Sequence, residues 1–109
     1  MRCDLVLADA VVIDGTGAPA VRADVGVHDG RVAAIGEGLR GRRIVRLDGR
    51  VLAPGFVDAH THTDVAVTDP RLSFAAVSQG ITTQVVGHCG WSAFPCAPER
   101  AGAVSDFCR

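Results

Sequence analysis

From Cys3 to Leu52 the apolar residues come in short runs between glycine-bearing turns: Leu5-Val6-Leu7, Ala10-Val11-Val12-Ile13, Ala23 to Val27, Val32 to Ile35, Ile44 to Leu47 and Val51-Leu52. Runs this short, rich in β-branched residues and bounded by Asp and Gly, predict strands. The strongest turn signal is His28-Asp29-Gly30-Arg31, because Asp-Gly tolerates the positive φ angles of a tight hairpin. Asp14-Gly15-Thr16-Gly17 and Asp48-Gly49 predict further turns. Within the runs, Val25 and Val27 alternate with Asp24, Gly26 and His28, and Val45 and Leu47 alternate with Ile44 and Arg46, so one sheet face is apolar. Such a face needs a covering layer, either a second sheet or strands from elsewhere in a longer chain.

The pattern changes at Ala53-Pro54-Gly55, and the domain boundary is placed there: 1–54 as a β-rich segment, 55–109 as a second unit. Phe56-Val57-Asp58-Ala59-His60-Thr61-His62 reads as a strand. Asp69 then has the character of a helix N-cap with Pro70 at the first helical position, where the missing amide hydrogen costs nothing. The helix is expected to run to about Gln79, with Leu72, Ala75, Ala76 and Gln79 at helical spacing and Gly80 as its left-handed terminator. Ile81-Thr82-Thr83-Gln84-Val85-Val86 reads as the next strand, so residues 56–86 predict a βαβ unit, the building block of parallel sheets and barrels. A short helix is expected from Glu99 to Phe107.

Composition narrows the function classes. With 48% hydrophobic residues in 109, the chain can bury a core. Eleven arginines, no lysine and twelve acids leave a net charge of -1, which offers no electrostatic footprint for nucleic acid or for an anionic membrane. Asp4 falls where a signal peptide needs its apolar centre, and no stretch approaches a membrane span, so a cytoplasmic setting is expected. Cys3, Cys89, Cys96 and Cys108 are then read as reduced thiols.

Chemistry concentrates in the second unit. His60 and His62, two apart at the carboxyl end of a parallel strand, would project to one face and grip one divalent ion, at the edge where barrel enzymes place catalytic groups. Two histidines at this spacing arise by chance about 0.14 times in such a composition, so the motif draws its weight from its position. Asp58 and Asp64 share that parity. Asp58 either orients an imidazole or caps the strand end, and Asp64 is not favoured as a site residue. Cys89, after the next strand and between Gly87 and Gly90, would lie beside the histidine pair; the competing reading is a small buried hydrophobe. His88 is either a further contact or structural. Cys3, Cys96, Cys108 and His28 are read as packing or surface residues, and Arg40-Gly41-Arg42-Arg43 as a solvated loop.

On these residues the sequence resembles the amidohydrolase superfamily, and within it the N-acyl-D-amino-acid deacylases (D-aminoacylases). The resemblance is carried by Val12-Ile13-Asp14-Gly15-Thr16-Gly17, by Ala53-Pro54-Gly55-Phe56-Val57-Asp58-Ala59-His60-Thr61-His62, and by Ser78-Gln79-Gly80-Ile81-Thr82-Thr83 followed by Val86-Gly87-His88-Cys89-Gly90-Trp91-Ser92. It implies an α/β fold: part of a small β-sandwich, then the first βαβ unit of an incomplete TIM-like (β/α)8 barrel. It also implies zinc, with His60 and His62 at one metal position and Cys89 as a zinc ligand standing where related hydantoinases and dihydroorotases use a carboxylated lysine. Many of these deacylases have asparagine at the position of His88.

The implied reaction is hydrolysis of an N-acyl-D-amino acid to a carboxylate and a free D-amino acid, with an aspartate from later strands as general base. A full barrel takes roughly 250 residues. No catalytic residue is therefore expected within these 109 residues, and the isolated chain is expected to be inactive. Two alternatives stand beside this reading: a cyclic-amide amidohydrolase of the hydantoinase or dihydroorotase kind, and a non-catalytic truncated remnant.

Overall fold

The computed structural model describes residues 2–64, 69–92 and 95–103. The chain divides into two compact units, Met1–Pro54 and Gly55–Arg109.

In the first unit, β1 (Cys3–Val12), β2 (Val21–His28), β3 (Arg31–Gly36), β4 (Gly41–Arg46) and β5 (Val51–Leu52) form one mixed five-stranded sheet. β2 joins β1 antiparallel, and the β2–β3 hairpin turns at Asp29 and Gly30, with φ of 49° and 71°. Both angles are positive, as Asp-Gly in such a turn requires.

Two apolar runs expected as separate strands are one strand. Leu7 pairs with Val25 and Ala10 with Ala23, so β1 carries one extra residue between them, a bulge centred on Asp9 (φ 60°). The bulge flips the parity of everything after it. Leu7 before it and Ala10 and Val12 after it therefore serve the same core, together with Ala23, Val25, Leu47 and Leu52. Asp24 holds the bulge by accepting the Asp9 backbone N–H at 2.9 Å, and its other oxygen accepts the Leu39 N–H at 3.2 Å.

The Asp48-Gly49 turn does not reverse the chain. β4 and β5 both run parallel to β1, one after the other along the same edge. The turn (φ 50° and 79°) is the neighbouring edge's answer to the bulge: Leu47 N–H donates to the Ala8 carbonyl, Gly49 N–H to Asp9, and the Arg50 carbonyl receives Val11 N–H, at 2.8, 2.8 and 3.0 Å. Among the described residues the first unit is thus a single sheet, because this turn keeps the chain in register with β1 instead of sending it to a second layer.

On the opposite pleat of β1, Val6 is fully buried. Glycines make room for it: a Cβ at Gly41 would lie 2.8 Å from Val6 Cγ2, and one at Gly26 would lie 2.6 Å from the buried Cys3 Sγ.

In the second unit, β6 (Phe56–Asp58) and β7 (Ile81–Gln84) pair in parallel, joined through α1 (Pro70–Val77), which lies against β7. This is a βαβ unit. Asp69 caps α1, accepting the Arg71 backbone N–H at 2.9 Å, and Gly80 ends the connection at φ 82°. Of the helix positions expected to face the core, Ala76 is half-buried while Ala75 and Gln79 are exposed; the Leu72 side chain lies outside the described residues. Gly55 lets β6 approach β7, since a Cβ there would overlap the Thr82 side chain. A 3-10 turn at Pro98–Arg100 begins the expected last helix, and residues 104–107 lie outside the described set, as does Cys108. No helix among the described residues is long and apolar enough to cross a membrane.

Candidate metal centre

β6 ends at Asp58, before the histidines, and β7 ends at Gln84, before the cysteine. Strand alternation, expected from the sequence to present the histidines, therefore does not reach them. The two segments nonetheless stay paired past their strands: Val85 N–H donates to the Asp58 carbonyl at 2.8 Å and Thr61 N–H to the Val85 carbonyl at 3.2 Å. This extension carries His60 and His62 on one side and Gly87 to Gly90 on the other to the same end of the pair.

Cys89 is presented by a tight turn. Gly87, Cys89 and Gly90 have φ of 85°, 57° and 74°, and the His88 carbonyl receives the Trp91 N–H at 2.9 Å. A left-handed backbone is uncommon and unfavourable for a residue with a Cβ, and such strain gathers at functional sites. A Cβ at Gly87 would lie 3.3 Å from Ser92 Oγ, a tight approach that adds to the preference for glycine set by φ.

The turn brings the Cys89 sulfur 3.5 Å from His60 Nε2, and one ligand atom each from His60, His62 and Cys89 all lie within 4.8 Å of one another. Zinc held at about 2.3 Å from sulfur and about 2.0–2.1 Å from nitrogen, at a tetrahedral angle, separates those donors by roughly 3.5 Å. The Cys89–His60 pair thus fits a zinc ion as it stands. All three side chains are exposed, which leaves further coordination positions open.

His60 is packed by its neighbours. The His62 ring meets it edge to face at 5.5 Å, and the His88 ring stacks on it at 4.1 Å with 22° between planes. His88 Nε2 is buried with no hydrogen-bond partner among the described residues. Of the two readings open for Asp58, the structure displays the cap: its carboxylate accepts the His60 backbone N–H at 3.2 Å.

Asp64, which the sequence reading set aside, is 9% exposed, and its Oδ2 has no partner among the described residues. Its parity with His60 and His62 was the available signal. Of the other residues weighed, His28 pairs with Asp4 at 3.2 Å and Cys3 is buried in the first unit, and among the described residues Cys3, Cys89 and Cys96 form no disulfide.

The family model described as the urease alpha-subunit, N-terminal domain, matches residues 1–52. A D-aminoacylase from Alcaligenes xylosoxydans xylosoxydans is 46% identical over 106 residues, covering 95% of this chain and 22% of the relative. An N-acyl-D-glutamate deacylase from the same organism is 48% identical over 97 residues, 86% of this chain and 20% of the relative. The solved N-acyl-D-glutamate deacylase of Bordetella bronchiseptica, complexed with zinc and a phosphonate inhibitor that mimics the tetrahedral intermediate, superposes with a TM-score of 0.80. It is 46% identical, over 88% of this chain and 21% of that one. The chain thus spans about a fifth of the length of the relatives it matches. At this identity, with the same local fold, the chain belongs to the D-aminoacylase family of amidohydrolases.

Proposed function

We propose that this chain supplies the first metal-holding segment of a zinc-dependent hydrolase that cleaves the linear amide of N-acyl-D-amino acids. The observation that carries the reading is the convergence of His60, His62 and Cys89 in a chain 46–48% identical to deacylases of that substrate class. In this reading, residues 1–54 are part of a small β-sandwich domain and residues 55–109 open a (β/α)8 barrel whose further strands complete the site. Both proposed strand ends then lie at the carboxyl edge, where barrel enzymes assemble catalytic groups.

His60 and His62 would hold the metal through ring nitrogens and Cys89 through its thiolate. Zinc, when bound, supplies Lewis acidity, drawing electrons from the amide carbonyl and making water a nucleophile at neutral pH. The left-handed turn at Cys89 sets the sulfur 3.5 Å from His60 Nε2, the separation that two donors to one zinc ion require. Proton transfer to the leaving amine would fall to an aspartate on a later barrel strand, as the family resemblance implies. The 109-residue chain alone therefore binds zinc weakly and turns over no substrate.

Zinc content and hydrolysis of N-acetyl-D-amino acids test the reading on two proteins: the 109-residue chain and the product of the reading frame followed past Arg109. The expected result is D-specific hydrolysis by the longer product and none by the shorter. Robust turnover by the purified 109-residue chain would overturn the divided site, and a longer product that hydrolyses cyclic amides in preference would overturn the substrate class.

A further inference from the structure

We infer that His88 is a positioning residue: its imidazole, stacked on that of His60, fixes the plane in which His60 Nε2 faces the Cys89 sulfur. The inference rests on the reading of His60 as a metal donor and adds to it the device that aims the ring.

A histidine at the end of a strand can turn about two side-chain bonds, and an exposed one samples several rotamers. His60 is exposed, and the hydrogen bond its residue makes to Asp58 uses the backbone N–H, so that bond does not orient the ring, whose Nε2 meets the Cys89 sulfur at 3.5 Å. One such contact leaves the ring plane unset, and the rings around it restrict that plane. His88 covers one face at 4.1 Å, nearly parallel at 22°, and His62 stands at 5.5 Å, inclined by 66°.

The stack also ties the ring to the thiol. His88 and Cys89 are adjacent in the turn bounded by Gly87 and Gly90, so the backbone that sets the sulfur sets the stacking ring as well. No hydrogen bond among the described residues holds His88 by its Nε2, which is buried without a partner. The ring is kept in place by the turn and by the face it presents to His60. An asparagine in its place has no ring to offer.

The test uses the 109-residue chain with His88→Asn and His88→Phe, each checked for an unchanged far-ultraviolet circular dichroism spectrum. In the metal-free protein, the ring-proton resonances of His60 should lie upfield under the current of the stacked ring, move downfield in His88→Asn, and stay upfield in His88→Phe. Titration with Co2+, read by its visible absorption, should weaken about threefold to tenfold in His88→Asn, the range of a lost aromatic pair, and recover in His88→Phe. His60 resonances that do not move in His88→Asn would overturn the inference, as would equal Co2+ affinity in His88→Asn and the unchanged chain. If the unchanged chain binds no Co2+ at all, the metal reading fails, and the ring shifts still decide the placement.

Discussion

Cys89 occupies a left-handed backbone at φ 57° between two glycines that are also left-handed. Glycine would adopt this φ without strain, so a side chain at this position costs the turn stability. Cys89→Ala keeps the Cβ and the strain while removing the donor. It is expected to lower zinc affinity by more than the ~10–100-fold typical of losing an outer partner of a metal ligand, with little change in thermal stability. Competition against a chromophoric chelator reads this directly, and an affinity equal to that of the unchanged chain would take Cys89 out of the donor set. Gly87→Ala asks for an unfavourable φ and crowds Ser92 Oγ. It should weaken zinc binding through the turn, although the substituted residue bears no donor.

Among the elements, β1 and α1 each depend on a side chain that satisfies backbone groups. At β1 the bulge stands on Asp24, and the opposite pleat stands on the absence of a side chain at Gly26, where a Cβ would come within 2.6 Å of Cys3 Sγ and 3.2 Å of Leu39 Cδ1. Gly26→Ala is expected to cost about 1–3 kcal/mol by overpacking. Adding Cys3→Ala should return part of that loss, and the double-mutant cycle from urea unfolding measures the coupling. Strict additivity of the two substitutions would show that the sulfur is not what Gly26 accommodates.

At α1 the Asp69 carboxyl is held below its ordinary value of 3.8, first by its side-chain hydrogen bond with Arg71 and then by the Arg71 backbone N–H. A depressed carboxylate contributes stability that is present above the unfolded value and lost as pH falls through the folded one. The helix start should therefore hold from neutrality down to about pH 4 and weaken below 3.8. In Asp69→Asn, which keeps an accepting oxygen without the charge, the part of the acid transition that belongs to this cap should disappear from the far-ultraviolet signal. An acid profile unaltered by that substitution would place the transition elsewhere. The other depressed carboxyls act in the same direction: Asp4 under the Asp29 N–H, Asp9 beside Arg22 and Asp14 under the Thr16 N–H.

For the molecule as a whole, the buried apolar residues described in the first unit are Cys3, Val6, Ala10, Val12, Ala23 and Val25, none larger than valine, with Leu7, Leu47 and Leu52 packed half-buried against them. Beside it, Leu7, Val12, Val25, Val27, Ile35 and Leu52 help line an apolar cavity of about 370 Å³. Ile35 and Val32 on its wall are 51% and 64% exposed. A sheet face of this kind is normally covered by another layer. The 109-residue chain should accordingly brighten a dye that reports accessible apolar surface, and Ile35→Lys should dim it while changing stability by less than about 0.5 kcal/mol, as expected for an exposed position. A chain that leaves such a dye dark has that face covered in solution.

What the chain's own residues determined is local. The Asp29-Gly30 hairpin, the Asp69-Pro70 helix start and the Gly80 stop follow from φ preferences and from which backbone groups a neighbouring side chain can satisfy, and these act over a few positions. The presence of two imidazoles and a thiol near strand ends was legible for the same reason. What the tertiary structure decided depends on partners far along the chain. The bulge at Asp9 was invisible because it is set by Asp24 and matched by Asp48-Gly49, and it merged two expected strands and kept β4 and β5 in one sheet. The donors meet through backbone pairing beyond the strands and a left-handed turn, with the sulfur and His60 separated by 29 positions in sequence. The stack of His88 on His60 and the burial of Asp64 arise the same way, since packing of rings and carboxylates is fixed by distance in space, which periodicity along the chain does not encode.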